Sequence, residues 1–452
     1  MLRKNAVLET TIQETVFPNK GLVYINGEKI LIHDGLQGQR VRIKITRKRK
    51  NRTEARILEI LEPSPLEQNP SCLQFGSCGG CTYLHLPYEA QLEMKQSQVL
   101  KLLENAGISG FTFKGIEPSP GEFAYRNKME YTFGDSGDGE LALGLHRKRM
   151  RYEISPTPSC QLVDGDFLAI QELVLAYFRK MKTPFYHKKS HQGVLRNLVI
   201  RKAGTTGEIH INLVTTSQQI LELDELAERL RTLDLAGQII GFLHTINDGK
   251  GDTIQADALH TVFGKTMITE LILGLQFKVS AFSFFQTNSH GAEKLFSLVR
   301  EYAGSQVGVA FDLYCGTGTI AQILSPLAEK VVGIEIVPEA IEAAKANAKT
   351  NGLTNCRFIA GDVLSELDHL DEQPDLIVLD PPRGGIHPKA LEKIIQLEAP
   401  RIIYVSCQPV SLAKDLQVLA ARGYQATTIK CMDMFPHTPH VECVVSLSRV
   451  DR

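Results

Sequence analysis

The fold is decided by residues 309–319, VAFDLYCGTGT, in which a short apolar run leads directly into a loop with two glycines. A buried strand followed by such a loop is typical of the first strand and ligand-binding turn of an open α/β sheet. Glycine lets the backbone turn tightly and lets a ligand approach it closely. The loop lacks the third glycine that is expected for a dinucleotide.

Four more short apolar runs follow, at residues 331–335, 357–360, 376–380 and 402–405. Continuous apolar runs of this length are typical of parallel strands that are buried on both faces. The segment Pro338–Asn351 starts with proline, is rich in alanine and ends before a glycine, as expected for a crossover helix. We therefore predict a doubly wound, Rossmann-like sheet with its ligand site at the carboxyl ends of the strands.

Acidic residues stand at the ends of the second, third and fourth predicted strands, namely Glu335, Asp362 and Asp380. Glu335 lies about twenty residues after the glycine loop, where an acid can accept hydrogen bonds from a ribose. Each acid alone could instead be a helix cap. They stand at the usual ligand edge of such a sheet, and the loop of residues 312–318 resembles the S-adenosylmethionine-binding loop of methyltransferases.

Two reactive side chains are predicted near the same edge. Cys407 follows the fifth strand, although a lone cysteine there is more often core packing. Glu442 begins the final strand, where burial could raise its pKa and suit it to act as a base. A thiolate adding to C6 of uracil would turn C5 into a nucleophile, and a base would later remove the C5 proton. We interpret Cys407 as that thiolate and Glu442 as that base.

A second group of cysteines lies earlier in the chain, at Cys72, Cys78, Cys81 and Cys160. Four thiolates suit either zinc or an iron–sulfur cluster. We predict a closed site with a structural or RNA-positioning role.

The N-terminal 62 residues have the pattern of a small barrel, with short β-type runs and an Asn26-Gly27 hairpin signal. Residues 1–61 carry 13 basic and 6 acidic side chains, a balance of +7, and the rest of the chain balances at -8. The stretch Arg40–Arg56 alone has nine basic residues and one acid. Such a stretch indicates binding to nucleic-acid phosphates, or else a solvated basic face without a ligand.

The chain of 452 residues, with 43% hydrophobic and 22% charged residues, fits about three globular domains. We predict a barrel over 1–62, a central α+β domain with the four-cysteine site over 63–280, and a cofactor-binding α/β domain over 281–452. The sequence shows no apolar stretch long enough to span a membrane and no signal peptide, so we expect a cytoplasmic protein with reduced cysteines.

These motifs, together with residues 283–288 (SFFQTN), resemble the bacterial RNA 5-methyluridine methyltransferase family. The resemblance implies a TRAM module at the N-terminus and a [4Fe-4S] cluster on the four cysteines. It implies S-adenosylmethionine bound by Gln286, Tyr314, Glu335 and Asp380, with Asp362 as a further candidate. It also implies Cys407 as nucleophile and Glu442 as base. Asn is usual in the family where Gln408 stands here.

Members of this family act on transfer RNA or on large-subunit ribosomal RNA. The TRAM-like module and the four cysteines resemble the ribosomal branch, so we expect 23S rRNA as substrate and transfer RNA as the alternative. We expect a monomer. Cytosine C5 methylation is disfavoured because the relevant cysteine would stand where Pro382 or Arg383 stands, and exocyclic-amine methylation because Arg383 replaces an aromatic residue. A non-enzymatic RNA-binding iron–sulfur protein is the remaining alternative.

Overall fold

The computed structural model describes residues 3–49, 52–137, 139–150 and 152–450. In these residues the chain forms a six-stranded sheet, a seven-stranded sheet, a two-stranded ribbon and an eight-stranded sheet. The described helices include none that is long and apolar enough to cross a membrane.

The N-terminal sheet is barrel-like and encloses a small aliphatic core that includes Ile12, Val23 and Ile43. Its Asn26-Gly27 turn has φ values of +50° and +76°, which confirms the predicted hairpin. Of the predicted basic stretch, Lys50 lies outside the described residues. The strands are paired in the order β1-β5-β6-β4-β3-β2, with the bounds β1 Val7–Thr11, β2 Glu14–Val16, β3 Lys20–Ile25, β4 Glu28–His33, β5 Arg40–Arg49 and β6 Arg52–Glu62.

The middle of the chain is mixed α and β, as predicted. Its seven-stranded sheet has the order β10-β9-β8-β11-β12-β13-β14, and helices α2 and α3 pack against it around a core that includes Phe167, Ile200 and Leu226. The elements of this region are α1 Tyr88–Asn105, β7 Thr112–Glu117, β8 Lys128–Asp135, β9 Leu141–His146, β10 Ile154–Pro156, α2 Gly165–Met181, β11 Leu195–Lys202, β12 Glu208–Thr215, α3 Asp224–Arg231, β13 Gln238–Ile246, β14 Ala258–Gly264, β15 Met267–Ile272 and β16 Leu275–Ser280.

The C-terminal sheet has the strand order β19-β18-β17-β20-β21-β23-β22-β7. Strands β17 to β21 run parallel to one another, and β23 runs antiparallel between β21 and β22. The elements are α4 Ser289–Ala303, β17 Val307–Leu313, α5 Thr319–Leu324, β18 Ala328–Glu335, α6 Pro338–Thr350, β19 Cys356–Ala360, α7 Val363–Glu366, β20 Leu376–Leu379, α8 Pro388–Gln396, β21 Arg401–Ser406, α9 Pro409–Ala421, β22 Tyr424–Met432 and β23 Glu442–Arg449.

Both faces of this sheet are covered, which confirms the predicted double winding. Because successive side chains of a strand point to opposite faces, Ala310 packs with α4, α5 and α6 while Phe311 packs with α1, α8 and α9. Strand order reverses between β17 and β20. That point, at the carboxyl ends of the strands, is where open α/β sheets bind their ligands.

Strand β7 comes from the middle of the sequence but pairs with β22 at the edge of the C-terminal sheet. The barrel is also tied to α1, since Gln98 donates to the carbonyl of Thr15 (3.1 Å). The hydroxyl of Tyr83 donates to the carbonyl of Pro18 (2.7 Å). The division at residues 62 and 280 stays a prediction, and these contacts show how closely its three parts interlock.

Candidate active site

The loop between β17 and α5 is built around two glycines with φ values of +54° at Gly316 and +70° at Gly318. Glycine adopts this left-handed region without steric cost. A Cβ at Gly318 would lie 2.6 Å from the ring of Phe358 and 2.8 Å from the Cβ of Ala344, so this side of the loop is tightly packed. A Cβ at Gly316 would meet nothing within 4 Å. The loop therefore has one packed side and one side that is open to a ligand.

Two acids hold this loop. Glu335 accepts from the N–H of Gly316 through Oε2 (3.2 Å) and from the N–H of Val337 through Oε1 (3.1 Å). Asp312 is fully buried, and its Oδ2 accepts from the N–H of Ala321 in α5 (2.8 Å). Its Oδ1 has no hydrogen-bond partner among the described residues. Burial raises the pKa of Asp312 to about 8, so this carboxyl suits a cationic or hydrogen-bond-donating ligand.

Asp380 stands across the reversal of strand order from this loop. Its N–H donates to the carbonyl of Leu313 (3.4 Å), and burial raises its pKa to about 7. Three residues on, Arg383 is exposed, and its carbonyl accepts from the hydroxyl of Ser411 in α9 (3.2 Å). Tyr314 lies at a φ of +67° in the glycine loop. Of the predicted cofactor residues, Tyr314, Glu335 and Asp380 thus lie on one edge of the sheet.

The strand register brings Cys407 and Glu442 together. Ser406, the last residue of β21, is the cross-strand partner of Cys443 in β23. Cys407 follows Ser406 and Glu442 precedes Cys443, so the two lie opposite each other where the antiparallel pair ends. Cys407 is half-buried and Glu442 is 5% exposed. A thiol and a carboxyl therefore share one water-poor corner beside Asp380.

The electrostatics of this corner favour neutral forms at rest. Burial, together with repulsion from Glu442 and Asp380, raises the pKa of the Cys407 thiol to about 11. Burial likewise raises the pKa of Glu442 to about 8, with a second contribution from Asp380. The guanidinium of Arg383 acts against both shifts and hydrogen-bonds to Cys407. Arg383 is thus placed to stabilise a thiolate.

Gln286 is half-buried in the segment between β16 and α4. Its carbonyl accepts from the side-chain amide of Asn127 (3.0 Å). Two residues on, the amide of Asn288 donates to the carbonyl of Met434 (2.9 Å), in the loop that leads to Glu442. The segment of Gln286 therefore contacts the loop that leads to Glu442 from the side of the central region.

Two other residues from the sequence make local contacts. Asp362 is exposed and caps α7, accepting from the N–H of Leu364 (2.9 Å). This is the helix-cap role that the sequence left open, and a cofactor role for Asp362 stays a prediction. Gln408 donates its N–H to the hydroxyl of Ser406 (3.1 Å), while its buried Oε1 lacks a partner within the described part of the chain.

The four cysteines Cys72, Cys78, Cys81 and Cys160 line one cavity of about 30 Å³ with Phe75, Leu84 and Leu145 among its walls. Burial raises the pKa of Cys78 and Cys160, and that of Cys81 to about 12. The N–H of Gly80 donates to the sulfur of Cys78 (3.4 Å). Backbone N–H groups of Leu162 and Val163 likewise stabilise the Cys160 thiolate.

No group of three or more His, Cys, Asp or Glu side chains among the described residues has the spacing to hold a single metal ion. A zinc ion needs its sulfurs at about 2.3 Å, and hence close to each other. Four thiols around one shared, mostly apolar cavity are a donor set that suits either zinc or an iron–sulfur cluster. The donor set and the N–H groups aimed at sulfur are both typical of such sites.

Sequence reasoning did not single out the buried polar residues of α1 that contact the loop before Glu442. Lys95 is 1% exposed and forms an ion pair with the fully buried Asp433 (2.7 Å), and Gln91 is buried one turn earlier on α1. The sequence does contain a signal for these residues, because Gln91 and Lys95 are polar, are spaced at i and i+4, and share a face of α1 with Val99. The amphipathic pattern of residues 87–108 predicts a helix with an apolar packing face that includes Val99 and Leu103.

The fold and the glycine loop define an α/β methyltransferase that uses S-adenosylmethionine. Residues 224–450 match the family model described as tRNA (uracil-5-)-methyltransferase. The solved tRNA (uracil-54, C5)-methyltransferase of Pyrococcus abyssi, in complex with S-adenosyl-L-homocysteine, is similar at a TM-score of 0.76 and 25% identity, covering 97% of this chain and 100% of its own.

Curated relatives agree. An uncharacterized RNA methyltransferase of Clostridium tetani is 49% identical over 100% of this chain and 99% of its own. One of Clostridium acetobutylicum is 50% identical over 99% of each. The chain belongs to the RNA (uracil-5-)-methyltransferase family and is an enzyme that uses S-adenosylmethionine. These relationships favour the enzyme over the non-enzymatic alternative.

Proposed function

We propose that this enzyme methylates C5 of one or more uridines in 23S ribosomal RNA through a covalent Cys407 adduct. The observation that carries the mechanism is the register of β21 and β23, which sets Cys407 opposite Glu442. The ribosomal substrate rests on the resemblance of the basic barrel and the four-cysteine site to the ribosomal branch.

The first half of the reaction belongs to Cys407. Its thiolate adds to C6 of uracil, and the electron pair released at C5 attacks the methyl carbon of the sulfonium, which leaves as S-adenosylhomocysteine. Because burial holds the pKa of Cys407 near 11, the resting thiol must lose its proton when substrate binds. Arg383 is the cation that lowers the pKa of this thiol.

The second half belongs to Glu442. Its carboxylate takes the C5 proton, the C5 electrons re-form the C5–C6 double bond, and the sulfur–C6 bond breaks to return the thiolate. A carboxyl whose pKa is raised to about 8 is a stronger base than an exposed one. A sulfonium cation nearby favours its ionised form before methyl transfer.

S-adenosylmethionine binding is assigned to the open side of the glycine loop. Glu335 lies where it can accept hydrogen bonds from the ribose, while Asp380 and the orphaned oxygen of Asp312 can accept hydrogen bonds and, once ionised, attract the sulfonium. Tyr314 and Gln286 complete the proposed set, and Asp362 borders it.

We assign a [4Fe-4S] cluster to Cys72, Cys78, Cys81 and Cys160, in preference to zinc. When bound, the cluster would give those thiolates a cationic partner and hold the segment around them. Iron and sulfide analysis of anaerobically purified enzyme tests this. We expect about four iron atoms per chain in the wild-type enzyme and their loss in Cys160→Ser. One zinc ion per chain instead would show that the site holds zinc and not an iron–sulfur cluster.

Transfer RNA is the second candidate substrate. One observation favours it: the solved Pyrococcus abyssi enzyme, named for a tRNA uridine, matches 97% of this chain. Because the match covers nearly the whole chain, the presence of the barrel and the central region does not by itself distinguish an enzyme that acts on ribosomal RNA from one that acts on transfer RNA.

Methyl transfer from labelled S-adenosylmethionine to unmodified 23S rRNA and to unmodified transfer RNA tests the choice, with the product nucleoside identified by mass spectrometry. We expect 5-methyluridine in 23S rRNA. Label found only in transfer RNA would support the proposed reaction but show that transfer RNA, and not 23S rRNA, is the substrate. Cys407→Ala serves as the control for contaminating activity.

A further inference from the structure

The loop of residues 433–441 delivers Glu442 to the candidate active site. It joins β22 to β23, and the residues at its two ends, Met432 and Glu442, are cross-strand partners. The place of the Glu442 carboxyl therefore depends on how this loop is held.

Helix α1 holds the loop through buried polar side chains. The Oε1 of Gln91 accepts from the N–H of His437 (2.9 Å), and its Nε2 donates to the Nδ1 of the same histidine (3.1 Å) and to the carbonyl of Leu86 (3.0 Å). Gln91 is fully buried and His437 is 3% exposed. Burial lowers the pKa of His437 to about 4, so its ring is neutral and Nδ1 can accept.

Two further groups bind the same loop. The Nζ of Lys95 donates to Asp433 (2.7 Å) and to the carbonyl of Phe435 (3.3 Å). The buried hydroxyl of Tyr125 donates to the carbonyl of Pro436 (3.1 Å). The loop is thus fixed along its length from one side.

The segment after Cys81 also reaches the loop. The N–H groups of Thr82 and Tyr83 both donate to the carbonyl of His437, at 2.7 and 2.9 Å. His437 has a φ of +65°. A residue with a Cβ is strained there and keeps this conformation only when its surroundings hold it. Its backbone N–H, carbonyl and ring are all engaged, by Gln91 on one side and by the cysteine segment on the other.

We propose that Gln91 is a positioning residue that, through His437, fixes the Glu442 carboxylate for removal of the C5 proton. This inference rests on the proposed role of Glu442. It assigns the effect to the second half of the reaction, since Cys407 is carried by β21 and α9. In the described structure, the hydrogen bonds around Ser406 and Gln408 involve no residue of α1.

Gln91→Met tests the proposal because it keeps the length and bulk of the side chain but removes both hydrogen bonds to His437. Gln98→Met is the matched control: Gln98 is buried on the same helix, and its amide binds the carbonyl of Thr15 in the barrel. Each variant is mixed with substrate RNA and S-adenosylmethionine. The rate of formation of denaturant-resistant enzyme–RNA adduct and the rate of its breakdown are measured separately.

We expect Gln91→Met to slow adduct breakdown by about tenfold or more, as for a displaced reacting group, and to change adduct formation by less than about twofold. The adduct should therefore accumulate, as it should with Glu442→Gln, and Gln98→Met should leave the ratio of the two rates unchanged. Equal slowing of both steps, or no change in either, would overturn the proposal.

Tyr125→Phe keeps the test decisive if Gln91→Met does not fold, since it removes only the hydrogen bond to Pro436. It should shift the ratio in the same direction by a smaller factor, and an unchanged ratio would overturn the proposal. Measuring Glu442→Gln in the same experiment distinguishes a failure of the role proposed for Gln91 from a failure of the role proposed for Glu442. If the adduct accumulates with Glu442→Gln but not with Gln91→Met, only the role of Gln91 is overturned. If no adduct accumulates with Glu442→Gln, the proposed role of Glu442 as the base is overturned as well.

Discussion

Cys407 is set apart from the other cysteines of the C-terminal sheet by its surroundings. Cys431 and Cys443 are fully buried with their sulfurs 3.7 Å apart, and this mutual contact together with burial raises the pKa of Cys443 well above that of an ordinary thiol. Cys407 is half-buried and faces the guanidinium of Arg383. A buried thiol without a cation is inert, so reactivity is expected at Cys407 alone of these three.

Cys407→Ala should abolish methyl transfer and adduct formation while RNA binding is retained, because only the covalent step needs the sulfur. Incorporation of labelled methyl and filter binding of the RNA measure the two properties. Cys356→Ala, at the start of β19, is the control and should stay active. Methylation by Cys407→Ala at the wild-type rate would contradict the mechanism.

The two loop glycines should respond differently to alanine. Gly318→Ala adds a Cβ 2.6 Å from Phe358, and such overpacking costs about 1–3 kcal/mol. Gly316→Ala causes a similar backbone strain, but the added Cβ would meet no atom within 4 Å. We expect Gly318→Ala to lower the melting temperature more and Gly316→Ala to weaken S-adenosylmethionine binding more, measured by thermal unfolding and calorimetry. The reverse order would contradict the assignment of the open side.

At the scale of elements, the sheet gathers three carboxyls at one edge. Burial raises the pKa of Asp312 to about 8, of Asp380 to about 7 and of Glu442 to about 8. These groups are mostly protonated at pH 6 and mostly ionised at pH 9. The sulfonium of S-adenosylmethionine is a cation, whereas the sulfur of S-adenosylhomocysteine is neutral. A cation binds the ionised edge better and lowers the pKa values of these groups.

The affinity for S-adenosylmethionine relative to S-adenosylhomocysteine should therefore rise from pH 6 to pH 9, by about tenfold if one carboxyl dominates. The ratio of the two affinities cancels the pH dependence that comes from the amino acid and adenosine groups, because both ligands contain these groups. Calorimetric titration of both ligands across this range measures it, and Asp380→Asn should show a smaller rise. A ratio independent of pH would show that these carboxyls do not face the sulfonium.

The sequence predicted elements best where local pattern and final environment agree. The parallel strands β17, β18, β20 and β21 read as short apolar runs because most of their residues are buried on both faces. In the central region the sequence pattern predicts strands over 141–146, 195–202 and 208–215, and β9, β11 and β12 have these bounds. Strands β13 to β16 were not predicted, although the residues of β16, LQFKVS, alternate between apolar and polar as those of a half-buried strand do. The pairing of β7 with β22 depends on residues over 300 positions apart, which no local pattern reports.

The same limit applies to the site. Cys407 and Glu442 could be predicted because each ends or begins a strand at a known edge. The support from Gln91 and Lys95 could not, since it joins residues about 340 positions apart. Hydrogen bonds between distant segments follow from tertiary packing, and an amphipathic pattern on α1 gives the packing face but not its partners.

At the scale of the whole molecule, the barrel presents less free charge than its sequence indicates. Arg40 and Arg42 pair with Glu9, Glu59 and Glu62 on the barrel surface. Among the described residues, Lys44, Arg49 and Arg56 form no ion pair within 4 Å, and Arg49 stands exposed at the end of β5. Contact with RNA phosphates is therefore expected at these unpaired cations, of which Arg49 lies nearest the tip of the β5–β6 hairpin, rather than at Arg40 and Arg42.

Arg49→Gln should weaken RNA binding and reduce the slope of log affinity against log salt by about 0.7–0.9, the contribution of one phosphate contact. Fluorescence anisotropy with substrate RNA at several salt concentrations measures both. Arg422→Gln is the control, because Arg422 pairs with Glu392 near the end of α9. Equal slopes for Arg49→Gln and wild type would place the hairpin tip away from the RNA.

The most direct test is peptide mapping of the covalent complex trapped with Glu442→Gln enzyme, uridine-containing substrate RNA and S-adenosylmethionine. After denaturation and digestion, mass spectrometry should find a methylated uridine attached to the sulfur of Cys407 and to no other cysteine. Attachment at another cysteine, or an unmethylated and purely non-covalent complex, would contradict a mechanism in which Cys407 adds to C6 and Glu442 completes the reaction.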